Sequence, residues 1–496
     1  MLNRFLGLPI FLFVMYLMFL LAINIGGALQ PLFDVGSVAL FVHGIQWIGY
    51  TLHFPDWLTI FLAQGLGGGI NTVLPLVPQI GMMYLFLSFL EDSGYMARAA
   101  FVMDRLMQAL GLPGKSFVPL IVGFGCNVPS VMGARTLDAP RERLMTIMMA
   151  PFMSCGARLA IFAVFAAAFF GQNGALAVFS LYMLGIVMAV LTGLMLKYTI
   201  MRGEATPFVM ELPVYHVPHV KSLIIQTWQR LKGFVLRAGK VIIIVSIFLS
   251  AFNSFSLSGK IVDNINDSAL ASVSRVITPV FKPIGVHEDN WQATVGLFTG
   301  AMAKEVVVGT LNTLYTAENI QDEEFNPAEF NLGEELFSAV DETWQSLKDT
   351  FSLSVLMNPI EASKGDGEMG TGAMGVMDQK FGSAAAAYSY LIFVLLYVPC
   401  ISVMGAIARE SSRGWMGFSI LWGLNIAYSL ATLFYQVASY SQHPTYSLVC
   451  ILAVILFNIV VIGLLRRARS RVNIELLATR KSVSSCCAAS TTGDCH

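Results

Sequence analysis

The amino-acid sequence predicts an all-α polytopic membrane protein, and three observations lead to that prediction. Of its 496 residues, 56% are apolar and only 12% are charged, with a mean hydropathy of +0.68, whereas a soluble domain carries about 25% charged residues. Apolar runs long enough to cross a bilayer recur along the chain. Two shorter apolar segments, one in each half, contain the same five residues beside a proline and a cysteine.

Apolar runs predict the transmembrane helices, at about residues 5–29, 64–90, 144–170, 174–197, 238–256, 384–408, 415–437 and 445–465. The first run resembles a signal peptide, but it is long enough to span a membrane. Polar side chains interrupt residues 34–54, which predicts either an interfacial helix or another span. Segments 116–136 and 291–312 are shorter and contain glycine or proline, which predicts half-helices or re-entrant hairpins. The expected number of membrane helices is therefore about 8–10.

Charge indicates which side of the membrane each connection faces. Lysine and arginine concentrate in residues 200–237 and after residue 466, so both segments and both termini are expected in the cytoplasm. The acidic segment 317–380 is expected on the other side.

The predicted order is a first transmembrane helix (1–30), an interfacial or second transmembrane segment (31–63), a first repeat (64–199), a cytoplasmic loop (200–237), the start of a second repeat (238–316), a polar extracytoplasmic insertion (317–380), the rest of the second repeat (381–437), a last transmembrane helix (438–466) and a cytoplasmic Cys-containing tail (467–496).

Residues 130–134 and 402–406 both read Ser-Val-Met-Gly-Ala, and a proline and a cysteine precede each copy. Pro129 and Pro399 each deny a helix one backbone hydrogen bond. In hydrocarbon the freed carbonyl needs another partner, so such breaks persist only where protein or a water-filled cavity surrounds them. Although chance repetition is the alternative, matching breaks in two halves predict a transporter whose substrate site lies where two repeats meet.

Soft ligands stand beside these breaks. Cys126 and Cys400 lie within three residues of the two prolines, and sulfur ligands suit soft and borderline metals. We therefore expect both cysteines to line a cation path. The further ligand candidates are Met132, Met404 and Cys155. For each cysteine the alternative is a small apolar residue in a packed helix.

Three carboxylates are the other candidates for metal ligands. Glu91 and Asp92 end an apolar helix, and Glu305 follows Lys304 inside an apolar segment. An ionisable residue at membrane depth is costly, which makes it a functional candidate. The alternative for Glu91 and Asp92 is a charged helix end at the headgroup level. The alternative for Lys304 and Glu305 is an ion pair that bridges two helices.

Other function classes fit the sequence less well. Residues 109–116 match a loose phosphate-loop pattern, but an amphipathic helix precedes them where a strand is required. A membrane-embedded enzyme with Cys126 or Cys155 as nucleophile needs a base, and no histidine lies in the predicted membrane core. A nucleoside carrier would want polar and aromatic side chains at the breaks, where this sequence has cysteine and methionine. No nucleic-acid partner is expected.

Four segments resemble the FeoB family of ferrous iron transporters: residues 90–98 (Leu-Glu-Asp-Ser-Gly-Tyr-Met-Ala-Arg), 123–129 (Gly-Phe-Gly-Cys-Asn-Val-Pro), 303–305 (Ala-Lys-Glu) and 398–400 (Val-Pro-Cys). The resemblance extends over about residues 1–470, and the Cys-rich tail is similar to that of enterobacterial members. It implies two gate segments similar to those of nucleoside transporters, with conserved cysteines at Cys126, Cys155 and Cys400. It also implies transport of ferrous iron across the bacterial inner membrane into the cytoplasm, with manganese or zinc as the alternative cargo.

In the FeoB family, a soluble GTP-binding domain and a helical regulatory domain normally precede the membrane helices. This chain begins at Met1, just before its first apolar run. The resemblance therefore implies that the chain is the membrane portion, that it is not itself an enzyme and that GTP acts only through the N-terminal domain. No permanently bound cofactor is expected. The implied partners are the lipid bilayer, the ferrous ion, the GTPase domain, small cytoplasmic accessory proteins of the iron system and further copies of the chain.

Overall fold

The computed structural model describes residues 7–201, 218–240, 268–302, 306–316, 332–350, 371–441 and 443–488, together with positions 243, 244, 246, 247, 250 and 304. This part of the chain is built from helices and contains no β-strand. The predicted all-α fold is therefore confirmed.

The first part of the chain forms twelve α-helices before residue 201. They are α1 (Gly7–Ala28), α2 (Gln30–Ser37), α3 (Gly44–Thr51), α4 (Asp56–Leu62), α5 (Gly68–Val73), α6 (Leu76–Asp92), α7 (Tyr95–Leu110), α8 (Phe117–Val122), α9 (Asn127–Gly133), α10 (Pro140–Met149), α11 (Gly156–Phe169) and α12 (Gly174–Thr199). Short π-helical turns connect α2 to α3 and α4 to α5.

The described residues after 217 form ten more α-helices. They are α13 (Val220–Phe234), α14 (Ala269–Ile277), α15 (Trp291–Met302), α16 (Val306–Thr316), α17 (Leu332–Thr350), α18 (Thr371–Phe381), α19 (Ala384–Leu396), α20 (Ile401–Glu410), α21 (Arg413–Ala438) and α22 (Pro444–Ala488). Serine hydroxyls begin α19 and α21, because Ser383 and Ser412 accept hydrogen bonds from backbone N–H groups in the first turn.

Six helical segments of the described chain are long and apolar enough to cross a membrane: Phe13–Thr51, Pro140–Phe169, Gly174–Thr199, Ala384–Glu410, Arg413–Ala438 and Pro444–Arg467. They account for six of the eight predicted spans, and residues 34–54 continue the first of them. The predicted span at 64–90 is divided between helices that end at Val73 and begin at Leu76. Most of the predicted span at 238–256 lies outside the described residues.

The first repeat contains a hairpin and an interrupted helix. Helices α8 and α9 fold back on each other, because Gly133 at the end of α9 lies against Pro119 near the start of α8. Helices α10 and α11 then continue in one direction, with an irregular segment around Pro151 between them. The sequence predicted the re-entrant hairpin, but it predicted an unbroken helix at 144–170.

The second repeat contains the same two elements. Helices α15 and α16 form a hairpin whose open end is joined by a hydrogen bond of 2.8 Å from the Tyr315 hydroxyl to Asn290 Oδ1. Helices α19 and α20 form the second interrupted helix, broken at residues 397–400. The predicted half-helices at 291–312 and the break at Pro399 are therefore confirmed.

The two repeats run in opposite directions. Helix α20 ends at Glu410, which bonds Arg135 just after α9 and Arg143 in α10. We call this end, with Arg135, Arg143 and Arg230, the arginine-rich end. Phe169, at the end of α11, packs on Phe381, just before α19 begins, at the other end. One interrupted helix therefore leaves the arginine-rich end and the other approaches it, as an inverted repeat requires.

Each interrupted helix is backed by an unbroken one that has a glycine beside the break. A Cβ atom on Gly185 of α12 would lie 2.8 Å from the carbonyl oxygen of Phe152, and one on Gly423 of α21 would lie 3.2 Å from that of Leu396. Small residues let membrane helices approach closely. The glycines thus bring a continuous helix against the irregular backbone of each break.

We predict that Gly185→Ala will destabilise the protein by about 1–3 kcal/mol, since overpacking forces backbone to shift. The measurement is thermal or denaturant unfolding of the purified protein in detergent. Gly417→Ala in α21 is the matched control, because no described atom beyond its chain neighbours and the nearby backbone of its own helix lies within 4 Å of the added Cβ. Equal stability of the two variants would contradict the role of Gly185.

Candidate functional site

A cavity of about 100 Å³ lies where the hairpins and the helix breaks of the two repeats meet. Each of these four elements contributes a residue to its lining. Cys126 comes from the tip of the first hairpin, Cys155 and Cys400 come from the two breaks, and Lys304 comes from the tip of the second hairpin. We call this space the central cavity. Helices α1 and α6 close another side with Ala22, Gln79, Ile80 and Met83.

The three cysteines hold the same position in their helices. Cys126, Cys155 and Cys400 each immediately precede the first residue of a helix, in α9, α11 and α20 respectively. Their ψ angles of 130°, 166° and 155° are extended, which turns the chain into the helix that follows. Because the N-terminus of a helix carries a partial positive charge, the cavity receives the positive ends of these helices.

Hydrogen bonds connect the first hairpin to the first break. The Gly156 N–H donates to the Gly125 carbonyl at 3.3 Å, and Asn127 Nδ2 donates to the Met153 carbonyl at 3.3 Å. Backbone groups that the breaks release thus find partners in a neighbouring element, as they must away from water. This pairing fixes the positions of Cys126 and Cys155 relative to each other.

Two buried cations also line the central cavity. Arg158 is fully buried, and its Nη1 donates to the carbonyls of Pro151 at 3.0 Å and Met153 at 2.9 Å. Lys304 is 3% exposed; its Nζ lies 3.4 Å from the Val394 carbonyl and 4.6 Å from the centre of the Tyr397 ring. Each cation thus bonds carbonyls just before a break, where helix C-termini favour positive charge.

Sequence reasoning missed Arg158, Asn127 and Gln79 as cavity residues, and it considered Lys304 only as half of an ion pair. The usable signal for Arg158 was a single arginine within an apolar run, which is costly in a membrane and indicates function. Gln79 and Asn127 gave no such signal, because short polar side chains are common near helix breaks.

Within the residues that the structure describes, no group of three or more His, Cys, Asp or Glu side chains is placed to hold a metal ion. Cys126, Cys155 and Cys400 form no disulfide with one another, and each is partly accessible. The cavity thus brings the predicted cysteines to one space without assembling them into a closed coordination shell. Glu305 lies outside the described residues.

The two methionine candidates lie away from the central cavity. Met132 lines a second cavity of about 450 Å³ between α9 and α20, which extends towards the arginine-rich end. Met404 is half-buried in α20. The repeated pentapeptide thus lies on α9, an arm of a hairpin, and on α20, half of an interrupted helix. These helices pack against each other but are not equivalent elements of the two repeats.

Glu91 and Asp92 accept hydrogen bonds from helix α13. Arg230 of α13 donates to Glu91 Oε2 at 2.8 Å, and Gln226 of α13 donates to Asp92 Oδ2 at 3.3 Å. Both carboxylates end α6 and lie outside the lining of the central cavity. These contacts agree with the alternative that they are charged helix ends.

Two ion pairs that share the carboxylate of Glu410 join the repeats at the arginine-rich end. The carboxylate of Glu410 is only 10% exposed and accepts hydrogen bonds from Arg135 at 2.5 Å and from Arg143 at 2.7 Å. Glu410 and Arg135 also line the second cavity. The space between α9 and α20 is therefore bounded by this cluster at its outer end.

Comparison with known proteins identifies the architecture. A family model described as "Gate: Nucleoside recognition" matches residues 73–169 and 235–413, more than half of the chain, and one described as "Ferrous iron transport protein B C terminus" matches residues 178–230. The chain belongs to the FeoB family. No solved structure matches it.

Curated FeoB proteins are similar over 94–100% of the chain. A protein named "Fe(2+) transporter FeoB" from Shigella flexneri is 99% identical over 495 residues, which are 100% of this chain and 64% of that protein. One from Salmonella typhimurium is 94% identical with the same coverage, and one from Legionella pneumophila is 50% identical over 94% of this chain and 62% of its own length. The chain thus spans less than two thirds of these FeoB relatives.

We predict that Glu410→Gln will lower stability by about 1–3 kcal/mol, because two arginines lose a shared, poorly exposed counter-charge. Unfolding of the purified protein provides the measurement. Glu288→Gln is the control, since the Lys282–Glu288 pair is about 60% exposed and an exposed pair contributes about 0–1 kcal/mol. A loss in Glu288→Gln as large as that in Glu410→Gln would contradict the prediction.

Proposed function

We propose that this chain forms the membrane path by which ferrous iron enters the cytoplasm. The observation that supports it most is that Cys126, Cys155 and Cys400, from three separate helix starts, line one cavity between two inverted repeats. Sulfur ligands suit a borderline metal such as ferrous iron better than they suit magnesium or calcium. The relatives' names state the same cargo for those proteins.

A transport site must bind its ion well enough to admit it and loosely enough to release it. The cysteines belong to a hairpin and to two different interrupted helices, so small movements of these elements change the number of thiols that reach the ion. The ion exchanges water for thiolate ligands as it enters. Because a bound cation favours the thiolate over the thiol, entry releases protons.

The second cavity provides the continuation of the path. It follows the interface of α9 and α20 from the level of Val128 to Glu410, and Met132 lines its wall. The Glu410 pairs with Arg135 and Arg143 bound this route, so their separation would open it. By the positive-inside rule the arginine-rich end faces the cytoplasm, and the acidic insertion at 317–380 faces the opposite side.

We also propose that this chain acts together with the partners of the full-length protein. The relatives extend well beyond the matched region, and the GTPase domain of a full-length FeoB protein would act on this chain, which itself hydrolyses no nucleotide. The loose phosphate-loop pattern forms a 3₁₀ turn in which the Gly114 N–H donates to Asp104, with Lys115 beside Asp138. These contacts support a structural role for the loop. Accessory proteins of the iron system and further copies of the chain remain proposed partners.

A nucleoside carrier is the second candidate, because the Gate model bears the description "Nucleoside recognition". The central cavity measures about 100 Å³, whereas pockets for drug-sized ligands occupy about 300–1,000 Å³. Its lining offers three thiols and two cations, and none of its described lining residues is aromatic. The size and chemistry of the cavity favour a small ion.

We predict that Cys126→Ser and Cys400→Ser will each reduce ferrous iron uptake at least tenfold, because serine replaces a soft ligand by a harder one of similar size. The measurement is uptake of radioactive ferrous iron by cells that carry the full-length protein. Cys450→Ser is the matched control, since Cys450 is also a partly buried cysteine outside any disulfide but lies on α22 outside the cavity. If both variants take up iron at the parent rate, the prediction is wrong and the two cysteines contribute only to packing.

We predict that a cysteine placed at Ser346 in α17 will react with a membrane-impermeant thiol reagent in intact cells, whereas one placed at Arg480 will not. The reason is the acidic excess of the insertion and the arginines before the tail. Quantitative labelling in a background without native cysteines provides the measurement. Protection at position 346 with labelling at position 480 would invert the proposed topology.

A further inference from the structure

The central cavity and the second cavity are neighbours, but they share no lining residue. Consecutive residues in three segments line different cavities: Met83 and Tyr84 in α6, Asn127 and Val128 in α9, and Cys400 and Ile401 at the start of α20. In each pair the first residue lines the central cavity and the next one lines the second cavity. Only a thin layer of side chains therefore separates the two spaces.

This layer is apolar and buried. Met83 and Val403 border it from the central cavity, and Tyr84 and Val128 border it from the second cavity. We call these four residues the apolar barrier; their exposures are 7%, 2%, 3% and 7% in that order. Cys126 packs against the cluster that contains Met83 and Tyr84. Because an apolar constriction excludes water and hydrated ions, the barrier closes the central cavity towards the second cavity.

Tyr84 differs from the other barrier residues in having space beside it. It also lines a cavity of about 480 Å³ between α6, α7, α8 and α9, which we call the side cavity, whereas Met83, Val128 and Val403 do not line it. In a close-packed interior a side chain needs such space in order to move, and valine is restricted in χ1 as well. A change of the Tyr84 rotamer into the side cavity would remove the ring from the barrier without separating any helices.

The side cavity also suits a tyrosine side chain chemically. Leu87, Met96 and Val122 give it apolar walls, and Glu91 and Arg230 line it with polar groups. A tyrosine combines an apolar ring with a hydroxyl that needs a hydrogen-bond partner. The displaced ring would therefore lie among apolar side chains, with a carboxylate available to accept from its hydroxyl.

We propose that Tyr84 is the inner gate between the central cavity and the second cavity. Its ring closes the apolar barrier in this structure, and its movement into the side cavity opens it. The closure is a property of the chain, whatever ion it transports, whereas the role of Tyr84 in iron entry rests on the proposed function.

The test measures how fast Cys126 reacts with a membrane-impermeant, positively charged methanethiosulfonate. The full-length protein is made with Cys126 as its single cysteine, and right-side-out and inside-out membrane vesicles are compared in the absence of iron. Ser402→Cys, in a protein without other cysteines, shows from which side the reagent enters the second cavity, which Ser402 lines. From that side, Cys126 in the protein with Tyr84 intact should react at least tenfold more slowly than Ser402→Cys.

Substitutions of Tyr84 then test the gate. Tyr84→Ala removes the ring, so Cys126 should react at least tenfold faster from the side of the second cavity. Tyr84→Phe keeps the ring and should leave the reaction slow. Leu87→Ala is the matched control, because Leu87 is also a buried residue of α6 beside the side cavity but lines neither of the other two cavities. If Tyr84→Ala does not fold, Tyr84→Leu makes the same test, with an expected acceleration of at least threefold.

The opening movement is tested by filling the side cavity. Ala97 of α7 lines this cavity, so Ala97→Trp leaves less room for the Tyr84 ring. The slow reaction of Cys126 that remains when Tyr84 is intact should then become at least threefold slower. An unchanged rate in Ala97→Trp would contradict movement of the ring into the side cavity.

Three results would overturn the gate. They are a reaction of Cys126 as fast as that of Ser402→Cys when Tyr84 is intact, an unchanged rate in the folded Tyr84→Ala variant, and an equal acceleration in Leu87→Ala. The assay contains no iron, so its outcome is separate from that of iron uptake. If the serine variants of Cys126 and Cys400 take up iron at the parent rate, the proposed path fails while the result for the barrier stands.

Discussion

Unpaired backbone groups at the helix breaks are the constraint on which the rest of this structure depends. A helix that stops inside an apolar bundle leaves carbonyl and N–H groups that water cannot reach. Here the released carbonyls of Pro151, Met153 and Val394 are bonded by the side chains of Arg158 and Lys304. Two buried charges are thus a consequence of building the site from broken helices.

The same constraint explains the composition of the central cavity. Breaks create helix starts, and the residue before each start has an extended ψ angle. Cys126, Cys155 and Cys400 occupy these positions, so three cysteines line the cavity where the backbone is most polar.

Contacts within each repeat support the helix breaks, and contacts between the repeats join them at one end. Glycines in α12 and α21 bring unbroken helices against the breaks, so each break has a rigid support. At the arginine-rich end the repeats are joined by the Glu410 cluster instead.

The sequence by itself determined the fold class, because hydropathy and the need to satisfy backbone groups in lipid leave few solutions. It also located the hairpins at 116–136 and 291–312 and the break at Pro399, since proline acts locally. Only the tertiary structure decided which elements are equivalent. It showed that Cys155 lies at a break, that Glu91 and Asp92 hold α13, and that Arg158 lines the cavity. Those facts depend on contacts between segments distant in the chain, and local residue patterns do not encode them.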